Sequence, residues 1–181
     1  QLHQPITDAL ALKGISMIAE NLEKAYENGE DREARRNMMI ASTIGGMAFI
    51  SSNVGAVHAF AETVGAWFDT PHGVANSLFL PYIMEFNIPA CPERFADIAD
   101  AMGIEREESM SDEQYALKAV EYVKALNRKL NIPTIKEIKG ITEERFEAIA
   151  ERSANNVLSN DNARKITKED YLELLKKAYN E

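Results

Sequence analysis

Apolar residues recur along the chain with the period of an α-helix. The first stripe consists of Leu10, Ile15, Ile18, Leu22 and Tyr26. This spacing predicts a long amphipathic helix, and Thr7 or Asp8 is placed to cap its first free amides.

A second apolar stripe follows the break at Gly29, with Asp31 placed to cap its helix. Its members are Met38, Ala41, Ile44 and Ala48. The helix is predicted to end near Ser52. From 44 to 49 the residues are small and apolar on every side, which predicts a central helix buried between its neighbours.

A short helical segment after Gly55 is followed by a break over residues 65–70, and a new helix is predicted to start at Pro71. Thr70 before that proline has the character of a cap. Pro81 is expected to kink the new helix, because proline removes one backbone hydrogen bond.

Four more amphipathic segments complete the pattern, near residues 93–102, 112–130, 142–155 and 167–178. Thr142 and Thr167 each precede an acidic first turn, which favours helix starts at both positions. The total is about eight helices with no convincing pair of strands. We therefore predict an all-α helical bundle.

The length of 181 residues, with 45% hydrophobic and 27% charged residues, is that of one globular domain spanning 1–181. A net charge of −9 argues against nucleic acid as a partner, because such binding depends on clustered Lys and Arg. The sequence contains no run of about 18 apolar residues, which is the length that would predict a membrane span.

The single cysteine, Cys91, cannot form an internal disulfide, so we expect it to be structural and the protein to be cytoplasmic. The amino end shows no secretory signal, and Gln1 in place of methionine suggests a processed or partial chain.

Gly45 and Gly46 lie within a helical stripe and lack the Gly-rich turn pattern, so no dinucleotide-binding unit is predicted.

Two of the three histidines, His58 and His72, lie fourteen residues apart in the most informative stretch. One straight helix would separate them by roughly 21 Å, too far to share a metal ion. A turn at 65–70 would bring both rings within about 2.1 Å of one ion. On spacing alone, the alternative that both are hydrogen-bonded members of a helical core stays open.

The segment around these histidines resembles the signature of the iron-containing alcohol dehydrogenases. The matching positions are Gly55, His58, Gly65, Pro71-His72-Gly73, Leu80-Pro81 and Phe86-Asn87. Further matches are Pro5-Ile6-Thr7-Asp8-Ala9-Leu10-Ala11, Gly46-Met47-Ala48-Phe49 and Pro92-Glu93-Arg94-Phe95-Ala96. The resemblance covers nearly the whole chain.

The resemblance implies the helical, dehydroquinate synthase-like α-domain of a two-domain enzyme. A nucleotide-binding domain precedes it in the family, and a divalent metal, Fe²⁺ or Zn²⁺, lies between the two domains. Four side chains bind that metal, and two of them correspond to His58 and His72. The others, an Asp and a His of an Asp-x-x-x-His motif, belong upstream of this sequence. His3 lies outside the motif.

Three more residues correspond to functional positions of the family. Glu62 stands one helical turn after His58, where alcohol-oxidising members often have a histidine that relays a proton. It is a candidate catalytic residue, an orienting partner of His58, an accidental ligand, or a solvated glutamate. Phe49 and Leu158 match positions that line the substrate pocket, although helical spacing fits Leu158 to the core. Asn162-Ala163-Arg164 resembles an Asn-Pro-Arg turn and is assigned no chemistry.

The resemblance thus implies an NAD(P)-dependent oxidoreductase that interconverts alcohols with aldehydes or ketones. The partners that it implies are the missing N-terminal domain and a second copy in a homodimer. With half of the ligands absent, we expect the isolated chain to carry little metal and to be inactive. Two alternatives remain: a non-catalytic helical interaction module, and a zinc-dependent relative of the glycerol dehydrogenase type.

Overall fold

Eight α-helices make up the regular structure of residues 4–181, the part of the chain that the computed structural model describes. They are α1 (Pro5–Glu27), α2 (Arg32–Ser52), α3 (Ala56–Phe68), α4 (His72–Asn87), α5 (Pro92–Ala101), α6 (Asp112–Lys129), α7 (Phe146–Ala154) and α8 (Lys168–Asn180). Four short 3₁₀ helices lie at Ile88–Ala90, Ile135–Glu137, Glu143–Arg145 and Val157–Asp161. This range contains no strand, so the all-α prediction is confirmed. His3 lies outside the described residues.

Two compact units share these helices. The first, here the hairpin unit, comprises residues 4–53 and Cys91–Ala119. Helices α1 and α2 pack against each other through the buried alanines Ala34, Ala41 and Ala48, which recur every seven residues on one face of α2. Within this contact, Nδ2 of Asn37 donates to Oδ1 of Asn21 at 3.0 Å.

Helix α1 begins at Pro5, earlier than the caps predicted at Thr7 or Asp8. Proline is favoured in a first helical turn because it has no amide to leave unpaired. Asp8 instead accepts a 2.7 Å ion pair from Arg94 of α5. The cap predicted for α2 is confirmed, since the Asp31 carboxylate accepts from the backbone amide of Ala34 at 2.9 Å.

The expectation that α2 is enclosed on every side is wrong for the described residues. Met39, Met47 and Ile50 are 74%, 56% and 79% exposed. They lie on the face opposite the buried alanines, because positions 39, 47 and 50 share one side of a helix. Helix α2 is therefore apolar on two faces, and only one of them is covered.

The second unit, here the histidine unit, comprises Val54–Ala90 and Val120–Glu181. Its core is centred on Phe60 of α3, which stacks on Phe79 of α4 at a centroid distance of 4.1 Å. Tyr171 of α8 meets Phe60 edge to face at 4.6 Å. All three rings are fully buried, so α3, α4 and α8 share one aromatic centre.

Helix α4 continues through Pro81 to Asn87. Because proline has no amide hydrogen, the carbonyl of Ser77, four residues earlier, loses its helical partner. Nδ2 of Asn127 donates to this carbonyl at 2.7 Å. A side chain from α6 thus replaces the hydrogen bond that Pro81 removes.

Both predicted threonine starts occur, but they differ in their hydrogen bonds. Thr167 accepts from the amide of Asp170 at 3.2 Å, and Asp170 accepts from the amide of Thr167 at 2.8 Å, which completes a capping box for α8. Thr142 precedes the 3₁₀ helix Glu143–Arg145 that leads into α7, and it makes no side-chain cap bond.

Among residues 4–181, no single helix combines the length and apolar character needed to cross a membrane. Taken together, α2 and α3 meet that criterion by length and composition only, as core helices also do.

Candidate metal centre

The two motif histidines lie at the starts of consecutive helices. His58 is the third residue of α3, and its amide donates to the carbonyl of Gly55 at 3.0 Å. His72 is the first residue of α4. Helix α3 runs through Gly65 to Phe68, so the connection is shorter than the predicted break and consists of residues 69–71.

The reversal between the helices depends on two local features. Asp69 adopts the left-handed conformation, with φ of 51°, which ends α3. Gly65 leaves room for the returning chain, because a Cβ at this position would lie 3.2 Å from the carbonyl oxygen of Thr70. The Thr70 hydroxyl has no hydrogen-bond partner among the described residues, so the predicted cap at Thr70 is wrong and Pro71 is the N-cap residue of α4.

The imidazole rings of His58 and His72 lie close together. Their centroids are 5.3 Å apart and their planes are inclined by 52°. An imidazole nitrogen binds zinc or iron at about 2.1 Å, so two rings on one tetrahedral ion have centroids roughly 5 Å apart. The observed separation therefore fits two ligands of one ion. It does not fit two rings in separate apolar interiors.

Burial lowers the pKa of His58 below its ordinary value, and the nearby His72 lowers this pKa further, while Glu62 raises it. The net effect keeps the His58 imidazole neutral at pH 7. Neutral imidazole is the form that binds a metal ion, since protonation occupies the lone pair.

Asn76 contacts His72 one turn along α4. Its Nδ2 lies 3.1 Å from Nε2 of His72 and donates to the His72 carbonyl at 2.9 Å. Which of these two atoms donates in the contact with Nε2 depends on the tautomer of His72. Oδ1 of Asn76 is buried without a hydrogen-bond partner among the described residues. Asn76 therefore contacts both the ring and the backbone carbonyl of His72, and so restricts the orientation of the imidazole.

Glu62 is exposed, and its carboxylate contacts Asn156 rather than completing a metal cluster. Nδ2 of Asn156 donates to Oε2 of Glu62 at 2.7 Å, while Oδ1 of Asn156 accepts from the amide of Leu158 at 3.0 Å. Within residues 4–181, no group of three or more His, Cys, Asp or Glu side chains is arranged to hold a metal ion. The described residues thus bring two imidazoles together without a third His, Cys, Asp or Glu side chain arranged beside them.

The two predicted pocket residues belong to different units. Phe49 lies near the end of α2 in the hairpin unit, and its side chain is 53% exposed. Leu158 lies in the 3₁₀ helix Val157–Asp161 and packs partly buried against the core of the histidine unit.

Cys91 is half-buried, and burial raises the pKa of its thiol, as expected for a structural cysteine.

Sequence reasoning missed a buried pair of asparagines in the histidine unit. Nδ2 of Asn162 donates to Oδ1 of Asn87 at 2.7 Å, and Nδ2 of Asn87 donates to Oδ1 of Asn162 at 3.1 Å. Arg164, two residues on, donates to the carbonyl of Phe86 at 3.1 Å and lies over its ring. Nothing in the local pattern marks a pair 75 residues apart, although both members fall in segments that carry the family resemblance.

Comparison with known proteins gives the family of the chain. Residues 2–179 match the model described as Fe-containing alcohol dehydrogenase family, C-terminal. Alcohol dehydrogenase 4 of Saccharomyces cerevisiae is 40% identical over 178 residues, which is 97% of this chain and 44% of that protein. The 1,3-propanediol dehydrogenase of Citrobacter freundii is 38% identical over 97% of this chain and 45% of its own length.

Solved structures agree with this family. A crystal structure of a 1,3-propanediol oxidoreductase matches with a TM-score of 0.94 and 36% identity, over 98% of this chain and 46% of that one. The alcohol dehydrogenase from Oenococcus oeni matches with a TM-score of 0.93 and 39% identity, over the same shares. The chain therefore spans less than half the length of these relatives, and it belongs to the iron-containing alcohol dehydrogenase family, whose C-terminal domain it represents.

Proposed function

We propose that residues 1–181 form the helical, metal-binding half of an NAD(P)-dependent alcohol dehydrogenase that interconverts alcohols with aldehydes or ketones. The observation that supports this most directly is the 5.3 Å separation of the His58 and His72 rings. Relatives named 1,3-propanediol dehydrogenase and NADPH-dependent butanol dehydrogenase support the substrate class.

In this proposal His58 and His72 each bind a divalent ion, Fe²⁺ or Zn²⁺, through one ring nitrogen. A bound ion would polarise the oxygen of the alcohol or aldehyde, and a nicotinamide cofactor would exchange a hydride with the substrate carbon that carries this oxygen. The lowered pKa of His58 keeps its lone pair available. Asn76 orients His72 through the 3.1 Å contact with Nε2.

Glu62 is proposed to accept or deliver the proton of the substrate hydroxyl. Its hydrogen bond to Asn156 uses Oε2 and restricts the rotation of the carboxylate. Phe49 and Leu158 are proposed as walls of the substrate pocket in the complete enzyme.

The nucleotide is proposed to bind mainly to an N-terminal domain outside these 181 residues, which also supplies the remaining Asp and His ligands. Relatives named NAD-dependent methanol dehydrogenase and NADPH-dependent butanol dehydrogenase leave both nicotinamide cofactors open. A homodimer in the cytoplasm completes the proposal. We expect the 181-residue chain alone to be inactive, because residues 4–181 contain no group of three or more side chains arranged to hold a metal ion.

The test is to change each histidine to alanine in the full-length protein and to measure bound metal and alcohol-dependent reduction of NAD and NADP. His58→Ala and His72→Ala should each weaken metal binding by about 100-fold or more, since each removes a direct ligand. His3→Ala, which changes the one remaining histidine of the sequence, is the matched control and should bind metal normally.

Metal analysis of the same preparations separates iron from zinc, and therefore tests the zinc-dependent alternative. Full metal content in both variants would rule out this site. A full-length protein that binds neither metal nor nucleotide would favour a non-catalytic helical module instead.

A further inference from the structure

Helix α3 begins without a cap from its own segment, because its N-cap residue is Gly55. The amide of Ala56 donates instead to Oδ1 of Asn162 at 3.4 Å, from a position 106 residues away in the sequence. Gly55 makes this approach feasible, since a Cβ there would lie 3.1 Å from that oxygen and 3.4 Å from the Asn162 Cα. The helix that carries His58 therefore obtains its cap from a residue that lies 106 positions later in the sequence of the histidine unit.

The same amide group holds the end of α4. Asn162 and Asn87, the last residue of α4, exchange two hydrogen bonds at 2.7 and 3.1 Å. Nδ2 of Asn162 also donates to the carbonyl of Arg164 at 2.8 Å. The side chains are buried, with 5% and 7% exposure, and the amide of Asn162 makes four hydrogen bonds. Because its nitrogen donates twice and its oxygen accepts twice, the side-chain amide of Asn162 is held in one orientation.

Helices α3 and α4 are consequently joined at both ends. Residues 69–71 connect the end of α3 to the start of α4, and Asn162 connects the start of α3 to the end of α4. His58 lies two residues after Ala56, and His72 is the first residue of α4. Since helices are stiff, fixing both ends also fixes the distance between the two imidazoles.

We propose that Asn162 is a positioning residue for the metal pair, which holds His58 and His72 at the separation that one divalent cation requires. This inference rests on the proposed metal-binding function. Asn162 is not proposed as a ligand of the ion, and it acts through its hydrogen bonds to the start of α3 and the end of α4.

The experiment measures Co²⁺ binding to the metal-free full-length protein, by titration and by the visible absorption of the bound ion, which reports its coordination geometry. Asn162→Leu keeps the number and branching of the side-chain heavy atoms but removes all four hydrogen bonds. Gly55→Ala keeps Asn162 and forces its Oδ1 away from Ala56. We expect both variants to bind Co²⁺ 10- to 100-fold more weakly, approximately the effect of losing an outer-sphere partner, with altered absorption.

The matched control is Asn21→Leu in the hairpin unit. Asn21 is also a buried asparagine that pairs with another asparagine, Asn37, and it donates to the carbonyl of Met17 at 2.8 Å. This variant should lose comparable thermal stability and bind Co²⁺ as the unmodified protein does. Gly55→Ala keeps the test decisive if Asn162→Leu does not fold.

Three results would overturn the inference, and they differ in what they say of the metal site. If the unmodified protein binds no Co²⁺, the metal-binding function fails and the positioning role fails with it. If the unmodified protein and both variants bind Co²⁺ equally, the site stands and the positioning role is wrong. If Asn21→Leu weakens binding as much as Asn162→Leu, the effect is one of general stability.

Discussion

Glu62 carries its carboxylate one helical turn after His58 and binds Asn156 at 2.7 Å. The change Glu62→Gln keeps an oxygen for this hydrogen bond but removes the negative charge and the proton acceptor. We expect kcat/KM of the full-length enzyme for a short alcohol to fall by about 100-fold, the low end for general acid–base groups, with metal content unchanged.

Asn156→Ala provides the comparison for Glu62, because it leaves the carboxylate and removes its partner. A smaller loss of kcat/KM is expected there. Full activity of Glu62→Gln at every pH would assign Glu62 to the solvated surface.

Tyr171 is fully buried, and burial raises its pKa to about 12. An unfolded chain ionises tyrosine near pH 10, so the folded state binds the proton more tightly than the unfolded state. The stability that this difference contributes is complete below about pH 10 and is lost as the pH rises toward 12. Burial likewise raises the pKa of Tyr82 and Tyr115 to about 12.

The change Tyr171→Phe keeps the ring against Phe60 and removes the hydroxyl, which lies 2.6 Å from Oγ of Ser159. At neutral pH we expect the free energy of unfolding to fall by about 1 kcal/mol. Between pH 10 and 12 the variant should lose less stability than the unmodified protein, as measured by urea unfolding. Parallel pH curves would show that Tyr171 ionises normally in the fold.

Single residues differ in how far the sequence could identify them. His58 and His72 are recognisable because the family signature extends along one continuous stretch, and the turn that brings their rings together has local causes in Gly65 and Asp69. Asn162 is not recognisable, because its role depends on hydrogen bonds to residues that lie 75 and 106 positions away in the sequence. No periodicity or spacing encodes such a contact.

At the scale of helices, the caps offer a direct comparison. Thr167 forms a complete capping box at the start of α8, whereas Thr142 makes no side-chain cap bond. Thr167→Ala should therefore lower the free energy of unfolding by about 1 kcal/mol, and Thr142→Ala by clearly less. Thermal or urea denaturation of the two variants measures the difference. Equal losses would mean that the capping box of α8 contributes nothing specific.

Helix number and order follow from apolar periodicity, and the predicted break at Gly29 separates α1 from α2. The boundaries of α1 and α3 differ from the prediction by a few residues, as turn residues such as Thr7 also occur within helices. The burial of α2 was misjudged for another reason. When a helix is apolar on two faces, its own sequence does not show which of the two faces another element covers.

At the scale of the molecule, the uncovered face of α2 is the main departure from an ordinary protein surface. Met39, Met47 and Ile50 are all more than half exposed and share one side of the helix. Contiguous apolar surface of this kind favours association. We expect the isolated 181-residue chain to self-associate, as measured by sedimentation velocity, and Ile50→Lys to reduce this association.

Val157→Lys is the control for the α2 surface. Val157 is 71% exposed, close to the 79% of Ile50, but it lies in the histidine unit. Its replacement should leave the sedimentation profile unchanged. Equal effects of the two lysines would point to added charge in general rather than to the face of α2.

The hydrogen bond between Ala56 and Asn162 also has a consequence for biosynthesis. A ribosome releases the segment with both histidines well before it makes residue 162, so during that interval α3 has no acceptor for its first amide and α4 has no partner for Asn87. The nascent chain then carries both imidazoles without the group that spaces them. Stable capture of the ion is accordingly expected only after Asn162 has been translated and has joined the fold.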